Sequence, residues 1–131
     1  MITCGFWITA RRLVVVVADS GKPASAITAA RTDDAQHSLL HHLHDRYGPD
    51  CALVLPAQLA SASIASLALR RGITVWVAPR ILLDGLQMIA SVGRTASPRR
   101  LARLLAHLPR SDLLRQHLQR LPTNEQQLRL L

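Results

Sequence analysis

In the segment Asp33-Asp34-Ala35-Gln36-His37-Ser38-Leu39-Leu40-His41-His42-Leu43-His44-Asp45, four side chains have the types and spacing of metal ligands. Asp34, His37, His41 and His44 follow one another at helical steps of three or four, which places them on one stripe. Two imidazoles one turn apart can chelate Zn²⁺ or Ni²⁺. The stripe lies opposite Leu39, Leu40 and Leu43, however, so it belongs on the solvent face of its helix. A polar surface is the simpler reading, and no native metal site is expected. Ser61, Ser63 and Ser66 lie in Ser-Ala-Ser-Ile-Ala-Ser, without the Gly-x-Ser-x-Gly elbow of a nucleophile. Small residues there suit close helix–sheet packing. Cys4 and Cys51 read as buried free thiols, because two cysteines do not make a disulfide scaffold in a chain of 131 residues. No Gly-rich phosphate loop, Cys-x-x-Cys or zinc-finger spacing occurs, so no cofactor is expected.

The other chemistry is cationic. Net charge is +8, and fifteen of the sixteen basic residues are Arg, Lys22 being the exception. Guanidinium does not titrate away and its planar fork suits phosphate. From Arg94 onward eight arginines face only Asp112 and Glu125, an asymmetry that points to an anionic partner, nucleic acid first. Arg99, Arg100 and Arg103 share one side of a helix whose other side is Leu101, Leu104, Leu105 and Leu108, and Arg110, Arg115 and Arg120 continue the basic character. No aromatics interleave, so backbone contacts to a duplex fit better than base stacking on a single strand. The same pattern also describes an ordinary solvated helix face, or a Leu-rich surface for a partner.

These residues need elements to hold them. Half the residues (49%) are hydrophobic but only 3% are aromatic, so a core of Leu, Val, Ile and Ala is expected without metal or disulfide support. Residues 2–9 and 13–18 read as strands joined by the turn Ala10-Arg11-Arg12, with 24–31 as a poorer third strand at the sheet edge. Thr32 or Asp33 caps a helix that Gly48-Pro49 ends. Two continuous apolar runs, 51–55 and 73–78, read as strands buried on both faces. Between them Pro56 opens a second helix that reaches Gly72; Pro79 starts a third carrying Leu82, Leu86 and Ile89. Ser97-Pro98 starts a fourth, and Ser111-Asp112 a fifth that stops before Pro122. Thr123 with Gln126 forms a capping box for a last short turn. The order predicts an α/β fold: a mixed five-stranded sheet, three strands in an antiparallel meander and two parallel, with helices on both faces and extra C-terminal helices. Residues 1–108 form that unit and 109–131 a helical extension. No apolar run is long enough to span a bilayer and no signal peptide is evident, so a cytoplasmic protein is expected.

The element order resembles the ribonuclease H-like fold. Residues 2 to about 106 resemble the RuvC-like N-terminal domain of the DEDD transposases of insertion sequences. Cys4-Gly5-Phe6-Trp7-Ile8 with its basic turn is similar to that family's opening hairpin, Leu67 to Leu82 to its Gly-x-x-Val-x-Val-x-Asn-Pro segment, and Leu101 to Ala106 to its final motif. The resemblance implies two divalent metals held by four carboxylates. Carried over, those positions fall at Trp7, Pro56, Pro98 and Leu101, or at Ala96 and Arg99 for the last two, and none is acidic. The eight acids are Asp19, Asp33, Asp34, Asp45, Asp50, Asp84, Asp112 and Glu125, mostly in turns or near helix starts. The expectation is therefore a transposase-related domain that is not an enzyme, a pseudo-nuclease without catalytic residues or metal. It would bind nucleic acid, DNA before RNA, through Arg94, Arg99, Arg100, Arg103 and Arg110, with Arg11 and Arg12 secondary. The alternative is a homodimerisation or protein-docking module presenting Leu113, Leu114, Leu118 and Leu121. A nuclease with relocated acids is a third reading.

Overall fold

The computed structural model describes residues 2–19, 22, 24–92 and 96–122. Its centre is a six-stranded sheet: β1 (Ile2–Ile8), β2 (Arg12–Asp19), β3 (Ser25–Ala30), β4 (Cys51–Pro56), β5 (Val75–Ala78) and β6 (Gln119–Arg120), in the spatial order β3-β2-β1-β4-β5-β6. The meander is antiparallel, β1–β4 and β4–β5 are parallel, and β6 runs antiparallel to β5. This is the expected mixed α/β architecture with one more strand at the edge.

Alternation along the strands sorts side chains into two layers. Cys4 and Phe6, with Leu13, Val15 and Val17 of β2 and Leu53 and Leu55 of β4, enter a core shared with helix α1 (Asp33–Tyr47) and helix α2 (Ser63–Arg70). Val54 and Ala78 face the other way, into a cluster with Leu83 and Leu86 of α3 (Arg80–Ala90) and Leu105 of α4 (Pro98–His107). Thr32 caps α1 by accepting from the Ala35 N–H at 3.2 Å, and Gly48, at φ 78°, ends it. Gln36 is buried and ties the α1–α2 layer together: its Nε2 donates to Arg31 O at 2.9 Å and its Oε1 accepts from Ile64 N at 3.0 Å. Cys4 and Cys51 are buried free thiols, as expected. The hydrogen bond to Cys51, then burial, pushes the Cys4 thiol up.

Three expectations differ. Pro56 ends β4 rather than opening a helix; a 3₁₀ turn, Ala57–Leu59, follows, and α2 starts only after Ala62. The fifth helix, α5, is limited to Asp112–Arg115, after which the chain turns and adds β6 to the sheet. On α3 the inward residues are Leu83, Leu86 and Ala90, while Leu82 is half-buried and Ile89 stays 65% exposed. The expected capping box at Thr123 and Gln126 lies outside the described residues. Among the described residues no helix is long and apolar enough to cross a membrane.

Candidate nucleic-acid interface

Ser97 accepts from the Arg100 N–H at 3.1 Å and Pro98 takes the first turn, so α4 begins where the sequence places it. One side of the helix is made small: Ala102 and Ala106, one turn apart, are fully buried against the sheet. Gly5 makes this approach possible. A Cβ on Gly5 would overlap the Ala102 carbonyl oxygen and lie 2.5 Å from Ala106 N. Thr3, also fully buried, donates its hydroxyl to Ala106 O at 2.6 Å. Thr3 meets Ala106 and Gly5 meets Ala102, so α4 runs against the direction of β1.

That docking fixes where the basic side chains emerge. Arg99, Arg103 and His107 follow at steps of four on the exposed side, and Arg99 and Arg103 line a cleft of about 280 Å³ with Val16, Ala24 and Ser25. Neither has a hydrogen-bond or ion-pair partner among the described residues. Arg100 lies half-buried, its Nε without a hydrogen-bond partner among the described residues. Arg110 is tied to the fold, its Nη2 donating to Ala18 O at 2.9 Å. Arg94 lies outside the described residues. Arg11 and Arg12 are exposed in the β1–β2 turn. Arg12 starts β2 whereas Arg110 reaches its far end, on the order of 20 Å away along the strand. The described arginines of the expected set are therefore spread along β2 rather than gathered at a point.

Arg31 escaped the sequence reading. Its Nη1 donates to Thr9 O at 3.0 Å and Ala10 O at 3.2 Å, adding a third guanidinium to the hairpin end while fixing the turn. Only the pairing of β3 with β2 brings it there, so nothing local signalled it. Arg115 and Arg120 sit elsewhere, lining a cavity of about 430 Å³ with Asp50, Cys51 and Trp76, and Arg115 is paired with Asp112 at 2.8 Å. Of the four leucines expected to meet a partner, Leu118 is buried with Leu83 and Leu86, and Leu121 packs against the α1–α2 core. Only Leu113 and Leu114 remain exposed, because the turn after α5 reverses the chain.

The field of these arginines is felt at His107. Burial, then Arg110 and Arg103, lowers its pKa below the usual 6.5. The folded state then binds this proton less readily than the unfolded chain. Its contribution to stability should be complete above the ordinary imidazole value and be lost as pH falls through the lower folded value. His107→Gln should flatten that part of the pH profile of the denaturation midpoint; an unchanged profile would show that His107 does not supply it.

On the histidine stripe of α1, His41 contacts Arg71, whose Nη2 lies 3.0 Å from its Nε2. At the other candidate position, Trp7 and Pro56 lie two residues past the last paired residues, Gly5 and Val54, of neighbouring strands. Trp7 is half-buried and packs against both apolar clusters of the α4 layer. Among the described residues no three His, Cys, Asp or Glu side chains come together as a group that could hold a metal ion.

No family model matches the sequence, and no curated protein matches it. Solved structures do. RuvC of Thermus thermophilus in complex with a Holliday junction substrate is similar to this chain with a TM-score of 0.54 at 13% identity, over 81% of this chain and 89% of that one. A second Thermus thermophilus RuvC structure gives 0.51 at 15% identity, over 82% and 77%. The expectation that the chain is not an enzyme is overturned by this comparison. Structures sharing its fold are of RuvC, one of them in complex with a Holliday junction substrate. That expectation assumed any reacting group must stand at Trp7, Pro56, Pro98 or Leu101, which presumes that this chain places its chemistry where the transposases do. At this level of identity the likeness is one of architecture: the chain has the RuvC-like, ribonuclease H-like fold.

Proposed function

We propose that this RuvC-like domain binds double-stranded or branched DNA through phosphate contacts made by the outer side of α4. The observation that carries the reading is the cleft beside α4, where Arg99 and Arg103 stand exposed with no partner among the described residues. A guanidinium left unpaired by its own fold is positioned to take a phosphate fork. Arg11 and Arg12, with Arg31 clamping their turn, extend the basic line along β2. The similarity to a RuvC bound to a Holliday junction makes branched DNA the first ligand to try. On this reading residues 1–108 form the binding unit and 109–131 an appendage, whose described part closes the β5 edge. Kinship with insertion-sequence transposases is part of the reading. It is supported by Gly72, with φ 74°, after α2 and Pro79 capping α3. Two buried free thiols accord with a cytoplasmic location.

The test is a titration of labelled duplex and four-way DNA at two salt concentrations with Mg²⁺ present, the products then run on a gel. Binding should weaken steeply with salt, log affinity falling by about 0.9 per neutralised phosphate per decade. Absence of binding at low salt would end the proposal. The gel reports cleavage independently of affinity.

A further inference from the structure

Helix α3 has two apolar sides, and among the described residues only one is packed inside the molecule. Leu83, Leu86 and Ala90 point into the α4 layer. Roughly 150° away around the helix, Ile81, Gly85, Met88 and Ile89 form a second stripe at helical spacing, and Val92 extends it just past the helix end. Ile81 is 82% exposed, Met88 75%, Ile89 65% and Val92 77%. The remaining side carries Arg80, Asp84, Gln87 and Ser91. A helix needs one apolar stripe to dock on its own sheet; the second requires another explanation.

We propose that this outer stripe is a self-association surface, on which a second copy of the chain packs its own α3 around a two-fold axis passing near Gly85. Three observations favour a second copy. The four large side chains offer roughly 500–600 Å² per molecule, so a symmetric pair would bury on the order of 1,000 Å² from them alone; with a polar rim this reaches the lower end of specific interfaces. The stripe is also self-complementary in shape. Nothing lies within 4 Å of a Cβ built on Gly85, leaving a bare notch between Ile81 and Met88. A two-fold axis places the same notch opposite the same projections, as an isologous contact requires. The third is charge. The protein carries +8, yet α3 contributes one Arg and one Asp, Arg80 and Asp84. This face neither attracts a polyanion nor repels its own copy.

The surface differs from the Leu113–Leu121 face considered in the sequence, two of whose leucines turn inward. It does not depend on the nucleic-acid reading, because its test contains no nucleic acid. The mass of the full chain is measured by light scattering or sedimentation from micromolar to sub-millimolar concentration. The wild type should approach twice 14.4 kDa. Met88→Glu should return it to 14.4 kDa with its circular dichroism unchanged, since the site is exposed and distant from the core. Gly85→Leu, at a position where an added Cβ has open space, fills the notch and should have the same effect. Leu113→Glu should leave the pair intact. A wild type that stays at 14.4 kDa throughout overturns the proposal. So does a dimer that survives both α3 variants, or one that Leu113→Glu dissociates instead.

Discussion

Gly5→Ala should destabilise the protein by about 3 kcal/mol, read as a large fall in the denaturation midpoint. The substitution adds one methyl group, so the size of the effect lies in what that methyl meets. Both obstructing atoms, Ala102 O and Ala106 N, belong to helix backbone, and no side-chain rotation can relieve the overlap. Helix α4 must lift from β1. Lifting stretches the buried hydrogen bond from Thr3 to Ala106 O and loosens the packing of Ala102 on Val14 and Val16. Gly85→Ala supplies the contrast. There a Cβ has open space in a helix interior, and the change should stabilise by up to about 1 kcal/mol. If Gly5→Ala costs less than about 1 kcal/mol, the close docking of α4 described here is wrong.

The second large effect is on affinity. Replacing Arg99 and Arg103 together by Ala should remove two phosphate contacts, lowering the salt slope of DNA binding by about 1.8 and the affinity by roughly 60-fold at about 0.1 M salt. Both side chains are exposed and unpaired among the described residues, so their loss should leave the denaturation midpoint nearly unchanged. Replacing Arg115 and Arg120 together by Ala is the matched control. It removes the same charge, but from side chains that line a different cavity, Arg115 being paired with Asp112, and its salt slope should equal that of the wild type. Equal losses from both substitutions would mean that only net charge matters and that α4 holds no site.

Elements announced by local chemistry were legible in the sequence. Thr32 and Ser97 accept from backbone N–H groups three residues on, Gly48 takes the left-handed conformation, and the alternating apolar residues of β1 and β2 divide between two layers. What tertiary contacts decide was not legible. Leu113 to Leu121 reads as one amphipathic helix, but Leu118 finds its burial beside Leu83 and Leu86 only when the chain turns back after Arg115. Pro56 suits a helix start, yet β4 keeps it as its last residue because the strand continues beside β5, pairing Pro56 with Ala78. On α3 two apolar stripes compete, and periodicity alone does not say which faces in. At the candidate interface the sequence identified the α4 arginines but could not separate Arg110, which bonds Ala18, from Arg99 and Arg103. Nor could it show that Arg31 reaches the Thr9 and Ala10 carbonyls, 22 and 21 residues away.

The docking of α4 on β1 also sets an order of events for a chain made from its N-terminus. The apolar side of the opening hairpin that carries Val14 and Val16 is covered by Ala102, and the hydroxyl of Thr3 finds its acceptor 103 residues later. Until that helix leaves the ribosome, the strands of this hairpin have one greasy surface with no native cover. Such long sequence separations slow folding and prolong exposure of sticky surface. The hairpin is thus made well before the helix that seals it, which leaves its uncovered face open to a chaperone in the interval.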